Sequence, residues 1–148
     1  MERLYTLVGQ IIENAQYIEW NLALMLRCHM ILKEFEENDT IPLSVFENVV
    51  KDAEDLSYEL SHQTLGEIVH RVKETRLLKL DDILKLEKVL RERNKLVHHY
   101  FKKHDFDDNS NVEKEISYLT NILNNMNQVN IALADIINQQ QEQINSIE

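Results

Sequence analysis

Residues 87–101 read E-K-V-L-R-E-R-N-K-L-V-H-H-Y-F. With Leu86 in front, apolar residues fall at Leu86, Val89, Leu90, Leu96, Val97 and Tyr100, in the steps of three and four that line one face of a helix. Arg93 sits on that stripe, where another leucine would be expected. A guanidinium keeps its charge at any ordinary pH, with a pKa above about 12, so it demands partners or water. Asn94 follows directly, and His98, His99 and Tyr100 come within two turns. A cation on the inward face, an amide beside it and imidazoles after it give this helix the residues of a site as well as those of a core.

The rest of the chain agrees with a helical setting. Its 148 residues include only two glycines and one proline, too few turn formers for a sandwich or barrel, so the expectation is an all-α fold in a single domain over 1–148. Net charge is −10, from 26 acidic against 16 basic residues. That excludes an extended, sequence-independent grip on nucleic acid, which needs many phosphate contacts, but leaves room for one small basic cleft. One cysteine, Cys28, excludes an internal disulfide and a cysteine-rich zinc site. No signal-peptide pattern opens the chain and no run of eighteen apolar residues occurs, which predicts a soluble, cytoplasmic protein with no membrane partner.

Residues 2–37 contain no proline, and Leu4, Val8, Ile11, Ala15, Ile18, Leu22, Met25, His29 and Leu32 alternate four and three apart, widened by Leu7, Ile12 and Leu26. A continuous helix here would span about 54 Å, against a diameter of roughly 40 Å for a compact domain of this size. It should therefore break, project, or bury its excess against a second subunit. His29 on this seam is expected to be a core histidine. Asn38–Ser44, with Asn38, Asp39 and Pro42, marks the clearest break, after which Ser44-Val45-Phe46-Glu47 has capping-box spacing for a helix with Val45, Val49, Ala53 and Leu56 inward. Thr64-Leu65-Gly66-Glu67 repeats that spacing before Leu65, Ile68, Val69 and Val72. Glu67 and His70 have a spacing used in carboxylate-bridged metal bundles, but a single such pair reads as solvated, so no metal is expected. His62 should face water.

Asp81 and Asp82 place acid at the start of the central helix, as its dipole prefers, and the polar Lys102–Asn109 stretch ends it. Ser110-Asn111-Val112-Glu113 would cap a last helix to about residue 145, with Val112, Ile116, Leu119, Leu123, Met126, Asn130, Leu133, Ile137, Gln140, Ile144 and Ile147 on its seam and Ile122, Val129 and Ile136 beside it. Asn130 and Gln140 on that seam are expected to fix register or partner choice. The Gln139–Gln143 tract reads as a solvated or fraying end. The sum is an antiparallel bundle of about five helices, with the first and last the longest.

Within the central helix, residues five apart differ by roughly 140° in direction, so Arg93 and His98 do not share a face. Asn94 and His98 do share one, with Arg91 and Lys95 beside it, and Tyr100 returns to the side of Arg93. Either the helix ends near Val97 and swings His98 round, or two copies of the segment meet across a dimer axis.

Arg93-Asn94-Lys95-Leu96-Val97-His98 resembles the R-N-x-x-x-H motif of the HEPN superfamily (higher eukaryote and prokaryote nucleotide-binding domains). Tyr100 extends the match to R-x4-H-x-Y, the form found in HEPN toxins paired with nucleotidyltransferase antitoxins. The likeness in residues covers 91–101; the likeness in helix pattern covers most of the chain. It implies a metal-independent endoribonuclease without cofactor, acting as a homodimer with two motifs facing across a cleft. His98 would transfer the proton at the ribose 2′-hydroxyl or the leaving 5′-oxygen, a task its ordinary pKa near ~6.5 suits. Arg93 would hold the scissile phosphate in a forked contact. Asn94 would orient the phosphate or His98, Lys95 and His99 would support substrate binding, and Tyr100 would line the cleft and be open to modification by the antitoxin. The products would be a 2′,3′-cyclic phosphate and a 5′-hydroxyl, so DNA would not be cut. Two other readings stand beside it. Arg93 could pair with a core-facing acid in a non-catalytic HEPN-like interaction module. The acidic charge also suits a helical antitoxin or immunity protein that masks a basic toxin.

Overall fold

With no proline and a single glycine between residues 2 and 38, one helix runs through them all. The computed structural model describes the backbone of residues 2–38, 49–103 and 109–147, and the side chains of 2–37, 51–97 and 112–147. Five helices make up these residues, without a strand: α1 (Glu2–Asn38), α2 (Val49–His62), α3 (Leu65–Thr75), α4 (Leu80–Lys103) and α5 (Asn109–Ile147). Among the described residues no helix is long and apolar enough to cross a membrane.

Several boundaries follow from local chemistry. Thr64 has extended backbone, and its hydroxyl accepts from the Glu67 N–H at 3.2 Å, the N-cap expected of α3. That helix ends on Arg76 in the left-handed region at φ 57°, whose N–H donates to the Lys73 carbonyl. The helix expected to start after Ser110 begins two residues earlier, at Asn109, so Ser110 lies within it. The proposed cap at Ser44–Glu47 falls outside the described residues.

The bundle is built on α1 and α5, which form its largest interface. Asn21 bonds Asn130, Gln140 bonds the Met25 carbonyl, and Cys28 and Ile31 cluster with Ile144, so residue numbers rise together and the two helices run parallel. α2 runs against α1: Asp52, early in it, pairs with Arg27 at 3.0 Å, and Ser61, near its end, shares a cleft wall with Gln16 and Glu19, while Arg93 of α4 pairs with Glu19. All five helices feed one apolar cluster, including Leu4, Ile11, Ile18, Leu22, Leu60, Ile68, Leu86, Leu90, Leu119 and Met126.

At ~1.5 Å per residue α1 and α5 are each about 55–60 Å long. Neither breaks. Their excess length is taken up by one another, since Cys28, Ile31 and Ile144 form a second small cluster with Leu32 beyond the main core. Helix length alone therefore does not call for a second subunit. The α1 seam is followed from Leu4 to Met25 and then slips: His29 and Leu32 are half-buried while Cys28 and Ile31 are buried. At this end α1 meets Ile144 of α5 outside the main core, and the residues that face that contact are Cys28 and Ile31. His29 is thus a flank residue, not a core one. In α5 the expected seam is buried at Leu119, Met126, Leu133, Ile137, Gln140 and Ile144 and half-buried at Val112, Ile116, Leu123, Asn130 and Ile147, with Ile122 and Val129 buried beside it. The tract read as a solvated or fraying end is helical and exposed except at Gln140, which is 3% exposed.

Candidate functional site

Ile83, Leu86, Val89, Leu90 and Leu96 form the buried face of α4. Arg93 continues that face toward α1, and its side chain is 14% exposed. A charge so placed needs an acid, and Glu19, 15% exposed on the facing side of α1, accepts from its Nη1. Asn94 Oδ1 accepts from Arg93 Nε at 3.2 Å and from Nη2 at 3.0 Å. Among the described residues three guanidinium N–H groups are thereby engaged, and the other two of its five donors have no partner. Burial pushes the Glu19 carboxyl above its ordinary range, with the Arg93 charge pulling the other way.

Arg93 and Asn94 open onto a cleft of about 320 Å³. Glu19 and Gln16 on α1 and Ser61 at the end of α2 supply its polar wall, and Ile12 and Val97 its apolar rim. Val97, expected on the apolar stripe, is instead 58% exposed, because Arg93 and Leu96 occupy the inward positions at this level and turn Val97 to the rim.

Next to Arg93, Glu92 faces α5 and accepts the hydroxyl hydrogen of Tyr118. Burial, then that bond, holds the Tyr118 phenol well above its ordinary pKa. Lys95 is exposed, with Nζ 4.0 Å from Glu92 Oε1. Two consecutive residues of α4 therefore tie it to two different helices.

The α4 backbone is helical through Lys103, so it carries His98, His99 and Tyr100 in unbroken register. The side chains of these three residues lie outside the described residues. The helix does not end near Val97, which removes the first of the two arrangements that would bring Arg93 and His98 together within one chain. On one helix the two positions stay about 140° apart.

Glu19, Gln16 and Ser61 are the site residues that sequence reasoning missed. Glu19 flanks the α1 seam one position past Ile18, and an inward acid was foreseen as the partner of Arg93. Nothing in the spacing singled Glu19 out among 26 acidic residues.

Other titratable groups sit apart from this cleft. His70 pairs with Glu74 at 3.0 Å on exposed ground rather than with Glu67, and no group of three or more metal-ligating residues occurs among the described residues. His62 is exposed, as expected, and Cys28 is buried, which raises its thiol pKa. Asn130 and Gln140 both bond α1, at 3.0 Å each, in keeping with a register role between α1 and α5. The chain matches no protein-family model, no curated protein and no solved structure.

Proposed function

We propose that this chain is a HEPN-type, metal-independent endoribonuclease, a toxin or defence effector whose cleft is completed by a second copy. The observation that carries the reading is Arg93: a largely buried cation, steadied by Glu19 and Asn94, that lines an open cleft with two N–H donors to spare. Two donors suffice for a forked contact with a phosphate, and a guanidinium fixed in advance needs no reorganisation as charge grows in the transition state. The unbroken α4 places the His98 position away from Arg93, so a second copy supplies the imidazole facing each Arg93. His98 takes the 2′-hydroxyl proton or protonates the leaving 5′-oxygen. The 2′-oxygen attacks phosphorus, the P–O5′ bond breaks, and a 2′,3′-cyclic phosphate forms. Lys95 and His99 support substrate binding, and Tyr100 is where a nucleotidyltransferase antitoxin would act.

Expression of wild type beside Arg93→Ala and His98→Ala tests the reading. RNA degradation and growth arrest with wild type alone are expected; equal growth and intact RNA in all three overturn it. A monomer by light scattering at micromolar concentration overturns the two-copy cleft.

One observation favours a second reading, a non-catalytic helical interaction module: Arg93 is already neutralised by Glu19, as a purely structural arginine would be. In that case Arg93→Ala lowers stability while RNA stays intact with every form.

A further inference from the structure

Toward the C-terminal end of α1, a cleft of about 570 Å³ opens between that helix, the α3–α4 connection and α5. Its size is that of sites that enclose small molecules, about 300–1,000 Å³. His29, Lys33 and Glu36 reach it from α1, Arg76 from the connection, and Gln140 and Gln143 from α5. None of these residues lines the Arg93 cleft. Two of them are held at a cost to stability. Among the described residues Arg76 is the one residue other than glycine with positive φ, at 57°, a region glycine occupies more readily. Its backbone is fixed there: the Arg76 N–H donates to the Lys73 carbonyl at 3.2 Å and the Leu77 N–H to Thr75 Oγ1 at 3.3 Å. Gln140 is 3% exposed; its Nε2 bonds the Met25 carbonyl, but its Oε1 has no partner among the described residues. Strained backbone and unpaired buried acceptors persist most often where a site needs them.

Charge decides what kind of ligand fits. In a chain of net −10, residues 71–79 carry four basic residues against one acid. Neither Lys33 nor Arg76 forms an ion pair among the described residues. His29 and Lys33 also border a smaller cleft of about 210 Å³, but there Arg71 is paired with Glu59 and Glu74 with His70. The cleft with an unpaired cation on each of two walls is therefore the larger one, and its local potential attracts anions. Burial, then the Lys33 charge, keeps the His29 ring below its ordinary pKa, with Glu36 opposing, so at neutral pH it serves as an uncharged hydrogen-bonding group. Glu36 and the two glutamines add acceptors for hydroxyl groups, and no aromatic ring lines the cleft to stack on a nucleobase. We propose that this cleft binds a small phosphorylated sugar, with its dianionic phosphate between Lys33 and Arg76 and its hydroxyls toward Glu36 and the glutamine amides. Two cations favour a dianion over a carboxylate, and Glu36 disfavours an anion that brings no donor. The site is independent of the ribonuclease reading.

The test titrates the full, isotope-labelled chain with glucose 6-phosphate, inorganic phosphate and glucose at constant ionic strength, read by amide resonances. Saturable shifts at Lys33, Arg76, Leu77 and Gln143 are expected with glucose 6-phosphate. Inorganic phosphate should bind about tenfold more weakly, lacking the hydroxyls, and glucose should leave the resonances in place. Arg76→Gly keeps the backbone its position favours, so it folds, and it should weaken glucose 6-phosphate about tenfold or more, whereas Arg76→Lys should weaken it less. Glu36→Ala should bring the two phosphates closer in affinity, with inorganic phosphate bound at least as well as by wild type. No saturable shift with glucose 6-phosphate, or shifts confined to other parts of the chain, overturns the site, as does equal binding by wild type and Arg76→Gly. Equal affinity of wild type for the two phosphates, or a difference that Glu36→Ala leaves unchanged, overturns the sugar reading.

Discussion

Replacing Arg93 by Met strands Glu19 against the apolar faces of α1 and α4. Breaking a fully buried ion pair from one side costs about 3–5 kcal/mol. Here an open cleft borders the pair, so water reaches the orphan and the expected cost at neutral pH is about 2–4 kcal/mol. The reverse change, Glu19→Met, leaves Arg93 with Asn94 and the cleft, and should cost less, about 1–2 kcal/mol. With both charges gone, two thioether side chains fill the space, and the double variant should lie within about 1 kcal/mol of wild type. The cost of Arg93→Met also depends on pH. Burial already raises the Glu19 pKa in the fold, so its ionisation there is disfavoured relative to the unfolded chain. That share of stability is full below the ordinary carboxylate range and is lost as pH rises through the folded value. Removing Arg93 removes the one influence that lowers this pKa, so the loss deepens toward neutral pH and is small near pH 4. Urea titrations of the four proteins at pH 4 and pH 7 give the coupling directly. Single effects that add to within about 0.5 kcal/mol, or a cost for Arg93→Met that does not grow with pH, would refute the argument.

Gln140→Met deletes a 3.0 Å bond to a carbonyl within α1 but also removes a buried Oε1 that has no partner among the described residues; stability by urea titration should be unchanged or higher by up to about 1 kcal/mol, and a loss beyond about 2 kcal/mol would contradict this. Arg76→Gly relieves the left-handed backbone at the end of α3 and should raise stability by about 0.5–1 kcal/mol, read as a higher Tm. Burial, then the nearby Lys33 charge, lowers the His29 pKa, with Glu36 opposing. The neutral ring therefore contributes stability above its ordinary value that is lost as pH falls, and wild type should lose more stability between pH 7 and pH 5 than His29→Gln, by the same titrations.

The helices were legible because their causes are local. Apolar steps of three and four, the Thr64 cap and the shortage of turn formers act within a few residues of where they are written. The α5 seam could be followed to Ile144, and Asn130 and Gln140 could be singled out as polar residues on it. The α1 seam departs from its four-three count past Met25, where Cys28 and Ile31 pack on Ile144 of α5 in place of His29 and Leu32, a contact set by a helix far along the chain. Arg93 and Asn94, which line the cleft, stand out in the sequence; Glu19 and Ser61 do not, because each reaches the cleft from another helix. A buried cation announces that it needs an acid, but not which one.

What the sequence determined by itself is the all-α character, the long outer helices and an arginine on the inward face of the central one. Each is a property of a periodic segment and its charges. Only the tertiary structure decided that α1 and α5 run parallel and absorb each other's length, that Glu19 is the acid paired with Arg93, and that Val97 stands at the cleft rim rather than in the core. These are matters of rotation and heading between helices. Many registers bury a similar stripe of Leu, Ile and Val, and what distinguishes them is which polar groups find partners across the interface, a property of pairs far apart in the chain.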